Sequence, residues 1–239
     1  MRAFLLAGGI GSRLSPYTLT IPKPMLPVGN APILEIVIQQ LVSLGFDHIT
    51  ISLGHLPHLV KAHVENMSFS SKVKIEYVEE VTPLGTAGAL SLVSAPTEKE
   101  CVLVMNGDLL TDFNYAEMVN FHLENMADAS IATTIRKTKI DYGVIEKNII
   151  DSSLIKFTEK PELAHEICLG IYVLSKKAWA FLQESYVDMP QLLIDMNLNG
   201  DRVICYESNS YWQDIGNLED YIRASSDYAL NPMRFMHNV

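Results

Sequence analysis

No stretch of the 239 residues approaches the roughly 20 consecutive apolar positions that a membrane helix needs. Arg2 to Ala7 is too short for the apolar heart of a secretion signal. A cytoplasmic protein with no membrane partner is expected. Cysteine is scarce: Cys101, Cys168 and Cys205 lie far apart, without CxxC or CxxH spacing. That pattern excludes a disulfide scaffold and a thiolate metal site, and each cysteine is expected as a small buried apolar residue. The seven histidines form no HExxH, and no linker, internal repeat, low-complexity run or hexapeptide array breaks the chain.

Acid is also missing, locally, from residues 1–34. They hold Arg2, Arg13 and Lys23, so with a net charge of −10 overall the remainder carries −13. The overall sign argues against nucleic acid as a partner. Its uneven distribution points to an anion site near the N-terminus.

What is present is an alternation of short β-branched runs with amphipathic stretches. Strands are expected at Arg2–Ala7, His48–Leu53, 73–78 and 101–105. Helices are expected after Asn30, which can cap a stretch that Pro32 opens and Gly45 stops, then at about 57–67 and 85–93. Such βαβ repetition predicts a parallel sheet. After about residue 128 the spacing predicts shorter strands at 129–136, 143–146, 149–158 and 167–174, an antiparallel excursion on the same sheet. Helix returns near 176–183 and 218–228. Residues 1–230 are expected as one domain, and 231–239 as a tail that either frays or packs on a second subunit of a homo-oligomer.

The first strand runs into Gly8-Gly9-Ile10-Gly11-Ser12-Arg13. Glycines between a strand and a helix let backbone N–H groups approach phosphate oxygens without a Cβ in the way, although a plain tight turn uses them equally. Spacing excludes two common phosphate loops, because neither GxxxxGK[ST] nor GxGxxG is present. Arg13 supplies a rigid charged fork, and Lys23 a point charge between Pro22 and Pro24, which stiffen its backbone. This is how a site for developing phosphate charge is preorganised.

The run LAGGIGSRLSPYTLTIPKPMLPVGNAPILE resembles the signature of the sugar-1-phosphate nucleotidylyltransferases, or nucleotide-sugar pyrophosphorylases. PLGTAGAL at 83–90, NGD at 106–108, YGVIE at 142–146, FTEKP at 157–161, GIYVL at 170–174 and YWQDIGNLEDY at 211–221 extend the resemblance over about residues 2–228. It implies a three-layer α/β/α Rossmann-like fold with a mixed, mostly parallel sheet. It also implies a reaction in which a sugar 1-phosphate attacks the α-phosphorus of a nucleoside triphosphate and pyrophosphate leaves.

By this resemblance Arg13, Lys23 and Asp108 are catalytic, and Leu6, Ala7, Gly8, Gly9, Gly11 and Ser12 cradle the nucleotide together with Glu80, Gly85 and Thr86. Asp108 and Asp214 hold Mg²⁺. Tyr142, Gly143, Glu159 and Lys160 meet the sugar phosphate. Read without the resemblance, Asn106-Gly107 is a hairpin-turn signal, Asp214 suits a turn, and Glu159-Lys160 an exposed ion pair. At Cys168 the chain departs from the family, which commonly has a sugar-contacting asparagine there; a thiol is a poor substitute, so the sugar is not carried over.

The loop Glu79 to Gly88 is where relatives read the base. Guanine presents two adjacent N–H donors and a carboxylate only accepts, so Glu80 favours GTP; glutamine suits uracil or thymine better. The expected activity is a mannose-, heptose- or hexosamine-1-phosphate guanylyltransferase. A uridylyl- or thymidylyltransferase, and a non-catalytic nucleotide-sugar-binding regulator on the same fold, are the alternatives.

Overall fold

Alternation along the first strand, β1 (Arg2–Ala7), sorts its side chains onto two faces: Ala3, Leu5 and Ala7 enter one buried cluster and Phe4 another. A strand buried on both sides sits at the centre of a sheet covered by helices on each face. The computed structural model, which describes residues 1–68, 73–182 and 185–236, has that arrangement.

In chain order the elements are β1, β2 (Pro27–Val28), β3 (Ala31–Pro32), α1 (Ile33–Ser43), β4 (His48–Leu53), α2 (Pro57–Glu65), β5 (Lys74–Glu79), α3 (Gly85–Gly88), β6 (Cys101–Asn106), β7 (Leu109–Thr111) and α4 (Tyr115–Glu124). There follow β8 (Ala129–Lys139), β9 (Val144–Lys147), β10 (Leu154–Thr158), β11 (Glu162–Ser175), α5 (Met189–Leu198), β12 (Val203–Glu207), β13 (Trp212–Asp214) and α6 (Leu218–Leu230).

The main sheet has the order β12-β8-β11-β6-β1-β4-β5. Only β11 runs against the others, antiparallel to both β6 and β8. The mixed, mostly parallel sheet expected from the sequence is therefore present. α1, α2 and α4 pack on one face, around Leu34, Val60 and Met118; α3 and α5 pack on the other, around Ala87, Leu90 and Leu192. A third cluster joins Leu14, Ile33, Ile215, Tyr228 and Phe235.

Several expectations need correction. Asn30 does not cap α1: Gly29, at φ 68°, and Asn30 form the two-residue turn between β2 and β3, and Pro32 takes the cap position. Turn chemistry outcompetes capping there, because both central turn positions favour Gly and Asn. The helix expected at 85–93 is one α-turn continued as a 3₁₀ segment, Ala89–Leu92. That near 176–183 is a 3₁₀ segment, Lys176–Phe181, and Gln183 lies outside the described residues.

β8 and β11 span 11 and 14 residues, longer than the short strands predicted, while 149–153 turns instead of extending. The helices α4 and α5 and the small strands β2, β3, β7, β12 and β13 were not predicted. Cys168 and Cys205 are exposed and only Cys101 is partly buried, because Cys168 lies on the stretch of β11 that runs past its pairing with β6 and joins β8 alone, and Cys205 lies on the edge strand β12. The described part of the tail packs on its own domain through Phe235 and Arg234. Phe235 is 1% exposed, its carbonyl accepts from the Gln40 amide at 2.9 Å, and Arg234 pairs with Asp112. Residues 237–239 lie outside the described residues.

Candidate active site

Four parallel strands end side by side and each hands its next residues to one cavity of about 740 Å³. Gly8 follows β1, Gly54 follows β4, Glu80 follows β5, and Asp108 stands just past the end of β6. Carboxyl ends of parallel strands gather ligand-binding loops because the chain must turn there before its next helix.

The glycine loop lines this cavity from Leu6 to Arg13. Its geometry requires glycine at Gly11 and favours it at Gly8. Gly11 has φ 69°, and a Cβ there would meet the Thr18 methyl at 2.9 Å; at Gly8 a Cβ would meet the Glu80 carboxylate at 2.8 Å. The loop enters a single 3₁₀ turn, Ser12–Leu14, whose Leu14 is buried and so anchors Arg13 beside the cavity. Lys23 opens another such turn between Pro22 and Pro24 and pairs directly with the Asp108 carboxylate.

Asp108 does not sit in a β6–β7 hairpin. β7 pairs instead with β13, in a register that sets Asp214 opposite Leu109, and the Ile215 amide donates to the Asp108 carbonyl at 3.2 Å. This small ladder brings together two acids 106 positions apart in the chain. Asp214 is half-buried, and its carboxyl is held above the ordinary carboxylate range first by that burial and then by the charge of Asp108; Lys23 and Arg13 pull the other way. Both carboxylates are hard oxygen donors. Such a pair suits Mg²⁺, which takes one or two carboxylates and fills its remaining positions with water and phosphate.

Glu80 and Glu79 face different ways. Glu79 pairs with Lys61 at the surface, whereas Glu80 lines the cavity, accepts from the Ser52 hydroxyl at 2.6 Å and from the Leu84 amide at 3.0 Å. One bond on each oxygen leaves further lone pairs open to a ligand. Gly85 (φ 79°) and Thr86 also line the cavity.

The residues expected at the sugar are grouped elsewhere. β9 and β10 form a separate two-stranded sheet on which Phe157 stands opposite Ile145 and Thr158 opposite Val144. That register brings Gly143 against the Phe157 ring and the Glu159 carboxylate. Lys160, at φ 45°, follows in the turn into β11. None of Tyr142, Gly143, Glu159, Lys160 or Cys168 lines the cavity, nor does Asp214. The Cys168 thiol donates to the Tyr172 hydroxyl at 3.2 Å and receives the Gly170 amide at 3.4 Å, so it braces the irregularity where β11 shifts register against β8.

Further lining residues had no role assigned from the sequence, among them Asn106, Gly54, His55, Tyr186 and Asp188. Asn106 belonged to a motif already singled out, and Gly170 at φ 71° packs on its amide. Asp188, ahead of Met189-Pro190, reads only as a helix start, so no local signal pointed it toward a cavity.

Three comparisons bear on this geometry. The nucleotidyl transferase family profile matches residues 2–231. The mannose-1-phosphate guanylyltransferase catalytic subunit beta of Dictyostelium discoideum is 27% identical over 237 residues, 98% of this chain and 66% of that protein. The mannose-1-phosphate guanylyltransferase of Mycobacterium tuberculosis is 32% identical over 234 residues, 94% of this chain and 64% of that protein. The chain thus spans about two thirds of the length of these relatives. Among solved structures, HddC from Yersinia pseudotuberculosis complexed with GMP-PN superposes with a TM-score of 0.69 at 23% identity, covering 95% of this chain and 99% of that one. A glycine loop, two cations and two acids gathered at the carboxyl ends of a mostly parallel sheet, with a family match over nearly the whole length, place the chain in the nucleotidyl transferase family.

Proposed function

We propose that the protein is a sugar-1-phosphate nucleotidylyltransferase, that it prefers GTP, and that it forms a nucleoside-diphosphate sugar and pyrophosphate. The convergence of the glycine loop, Arg13, Lys23 and Asp108 on one cavity carries this reading. The names of the two curated relatives and the GMP-PN bound to a structural neighbour support the choice of base.

In this reaction a phosphate oxygen of the sugar 1-phosphate attacks the α-phosphorus in line, and the bond to the oxygen bridging the α- and β-phosphates breaks. Pyrophosphate carries that electron pair away. Two anions must be held together while charge builds on the leaving group, so positioning and positive charge dominate the chemistry. The backbone from Gly8 to Ser12 approaches the triphosphate, and Arg13 meets its oxygens with a planar fork. Lys23 exchanges Asp108 for the leaving pyrophosphate. Asp108 and Asp214 would hold Mg²⁺, whose charge offsets that of the phosphates. Lys160 binds the sugar's phosphate and Glu159 accepts from its hydroxyls. Glu80 accepts N–H groups of the base.

The test is pyrophosphate release with Mg²⁺, across the four nucleoside triphosphates and a panel of sugar 1-phosphates. Turnover with GTP and one hexose or heptose 1-phosphate is the expected result; no turnover with any pair removes the enzymatic reading. Base preference has its own test in Glu80→Gln. Glutamine can keep its carbonyl toward Leu84 and its amide toward the rotatable Ser52 hydroxyl, so the loop survives the exchange while one acceptor facing the base is lost. The GTP-to-UTP preference should fall, and an unchanged ratio would discard Glu80 as base reader.

A further inference from the structure

Two helices begin at the cavity wall, and each is capped by the other's segment. Asp188 occupies the cap position of α5, yet its side chain makes no bond within that helix. Its Oδ1 accepts from the backbone N–H of Thr86 at 3.2 Å and from the Thr86 hydroxyl at 3.4 Å. The Thr86 hydroxyl in turn accepts from the Met189 amide at 2.8 Å, satisfying the first turn of α5. Residues 102 positions apart have exchanged caps. Backbone bonds lace the same segments, from Ala87 and Gly88 to the Val187 carbonyl and from Val187 to the Leu84 carbonyl. A Cβ at Gly85 would meet the Val187 carbonyl at 2.6 Å, which explains glycine there.

The other oxygen of Asp188 faces away from the helix starts, and this Oδ2 accepts from the Tyr186 hydroxyl at 2.9 Å. Tyr186 is 64% exposed, and its ring lines the cavity beside Pro83, Gly85 and Thr86, on the wall that also holds Glu80. An exposed aromatic ring is seldom immobilised. Here the carboxylate that locks the wall also ties down the far end of the ring, so little rotational freedom remains for a ligand to remove.

We propose that Tyr186 is the aromatic surface on which the nucleobase stacks, and that Asp188 is the residue that positions it. The inference rests on the nucleotide-binding reading above and extends it to two residues with no role in that reading. A flat ring can cover any base, but a purine offers the larger face, so the contribution is greater for GTP than for UTP.

Equilibrium binding by calorimetry, in Mg²⁺ and without sugar phosphate, separates the possibilities. The probes are GTP, UTP and inorganic tripolyphosphate, which shares the phosphates but has no base. Tyr186→Ala should weaken GTP about tenfold or more, the scale of one base–aromatic stack, weaken UTP less, and leave tripolyphosphate unchanged. In turnover it should raise the KM for GTP with kcat and the KM for sugar phosphate unchanged. Asp188→Ala should weaken GTP without adding to Tyr186→Ala in the double variant, and Asp188→Asn should restore affinity, since its carbonyl still accepts from Thr86. Should Asp188→Ala unfold, Tyr186→Phe tests the same tie: it keeps the ring and removes the hydroxyl that Asp188 holds, so GTP affinity should fall, and an undiminished affinity overturns the positioning role. GTP affinity undiminished in Tyr186→Ala overturns the stacking assignment, and additive losses in the double variant overturn the positioning one. A wild-type protein that binds none of the three probes overturns the nucleotide-binding reading itself.

Discussion

Lys23 and Asp108, proposed to act at the phosphates, have side chains 13% and 15% exposed and bonded to each other; Tyr142, proposed to meet the sugar, is 79% exposed. Asp108 stands just past the carboxyl end of β6, in the middle of the seven-stranded sheet, and Lys23 reaches it from the 3₁₀ turn Lys23–Met25. The residues proposed for the sugar, Tyr142, Gly143, Glu159 and Lys160, flank β9 and β10, a ribbon that no strand of that sheet joins. In the turn between its strands Ile149 and Ile150 are 96% and 95% exposed, whereas Ala3, Phe4 and Leu5 of β1 are buried. The difference separates two roles. Phosphate chemistry is common to every substrate pair and needs groups fixed before the reaction, whereas a sugar must be admitted, recognised and released, which suits a part of the fold with few packing constraints.

If this contrast is real, substitutions in the two regions must fail differently. Asp108→Asn should leave the circular dichroism and melting temperature near the wild-type values while lowering kcat by a factor on the order of 10² to 10³, the usual cost of losing one preorganised charge in an active site. A normal rate would remove Asp108 from the chemistry and erase the distinction. Lys160→Ala should act mainly on sugar-phosphate KM, raising it roughly 10- to 100-fold, as expected when one charged hydrogen bond is lost. Steady-state kinetics with each substrate varied in turn would show it, and an equal rise in the KM for GTP would mean that the two regions are not separate.

Paired glycine substitutions probe the same contrast through stability. Gly11→Ala forces an L-residue into φ 69° against Thr18 and Lys23, and should destabilise by about 1–2 kcal/mol in urea titration. Gly143→Ala meets the outer edge of the Phe157 ring and the end of the Glu159 side chain, both exposed and able to swing away, and should cost about 0.5 kcal/mol or less. Equal costs would contradict the difference in support. The smallest effect is expected from Ile150→Ser, within about 0.5 kcal/mol of wild type by the same titration, because no packing is lost at a side chain already in solvent.

Much of the fold was legible because its signals are local. β1 and β4 begin and end where the apolar runs do, and Gly45, at φ 86°, stops α1 as a left-handed residue should. Signals failed where two local preferences competed or where none existed. Asn30 suits a cap and a turn equally, and β2 pairing with β3 decided for the turn. β7 and β13 have three residues each, too few for any periodicity to register. Cys168 and Cys205 were misjudged because an apolar run indicates burial only when neighbouring strands and another layer cover it; the first lies where β11 outruns β6 and the second on the edge strand β12.

The phosphate loop belongs to what the chain alone determined. Its glycines, the arginine and the proline-flanked lysine lie within 16 positions, Gly8 to Lys23, so backbone freedom, charge and stiffness are all properties of a contiguous stretch. The meeting of Asp108 with Asp214, and of Thr86 with Asp188, was decided only by tertiary structure. Contacts across about a hundred positions depend on how strands pair and where helices begin, and the energy that closes those long loops comes from the buried sheet as a whole and not from the residues that meet.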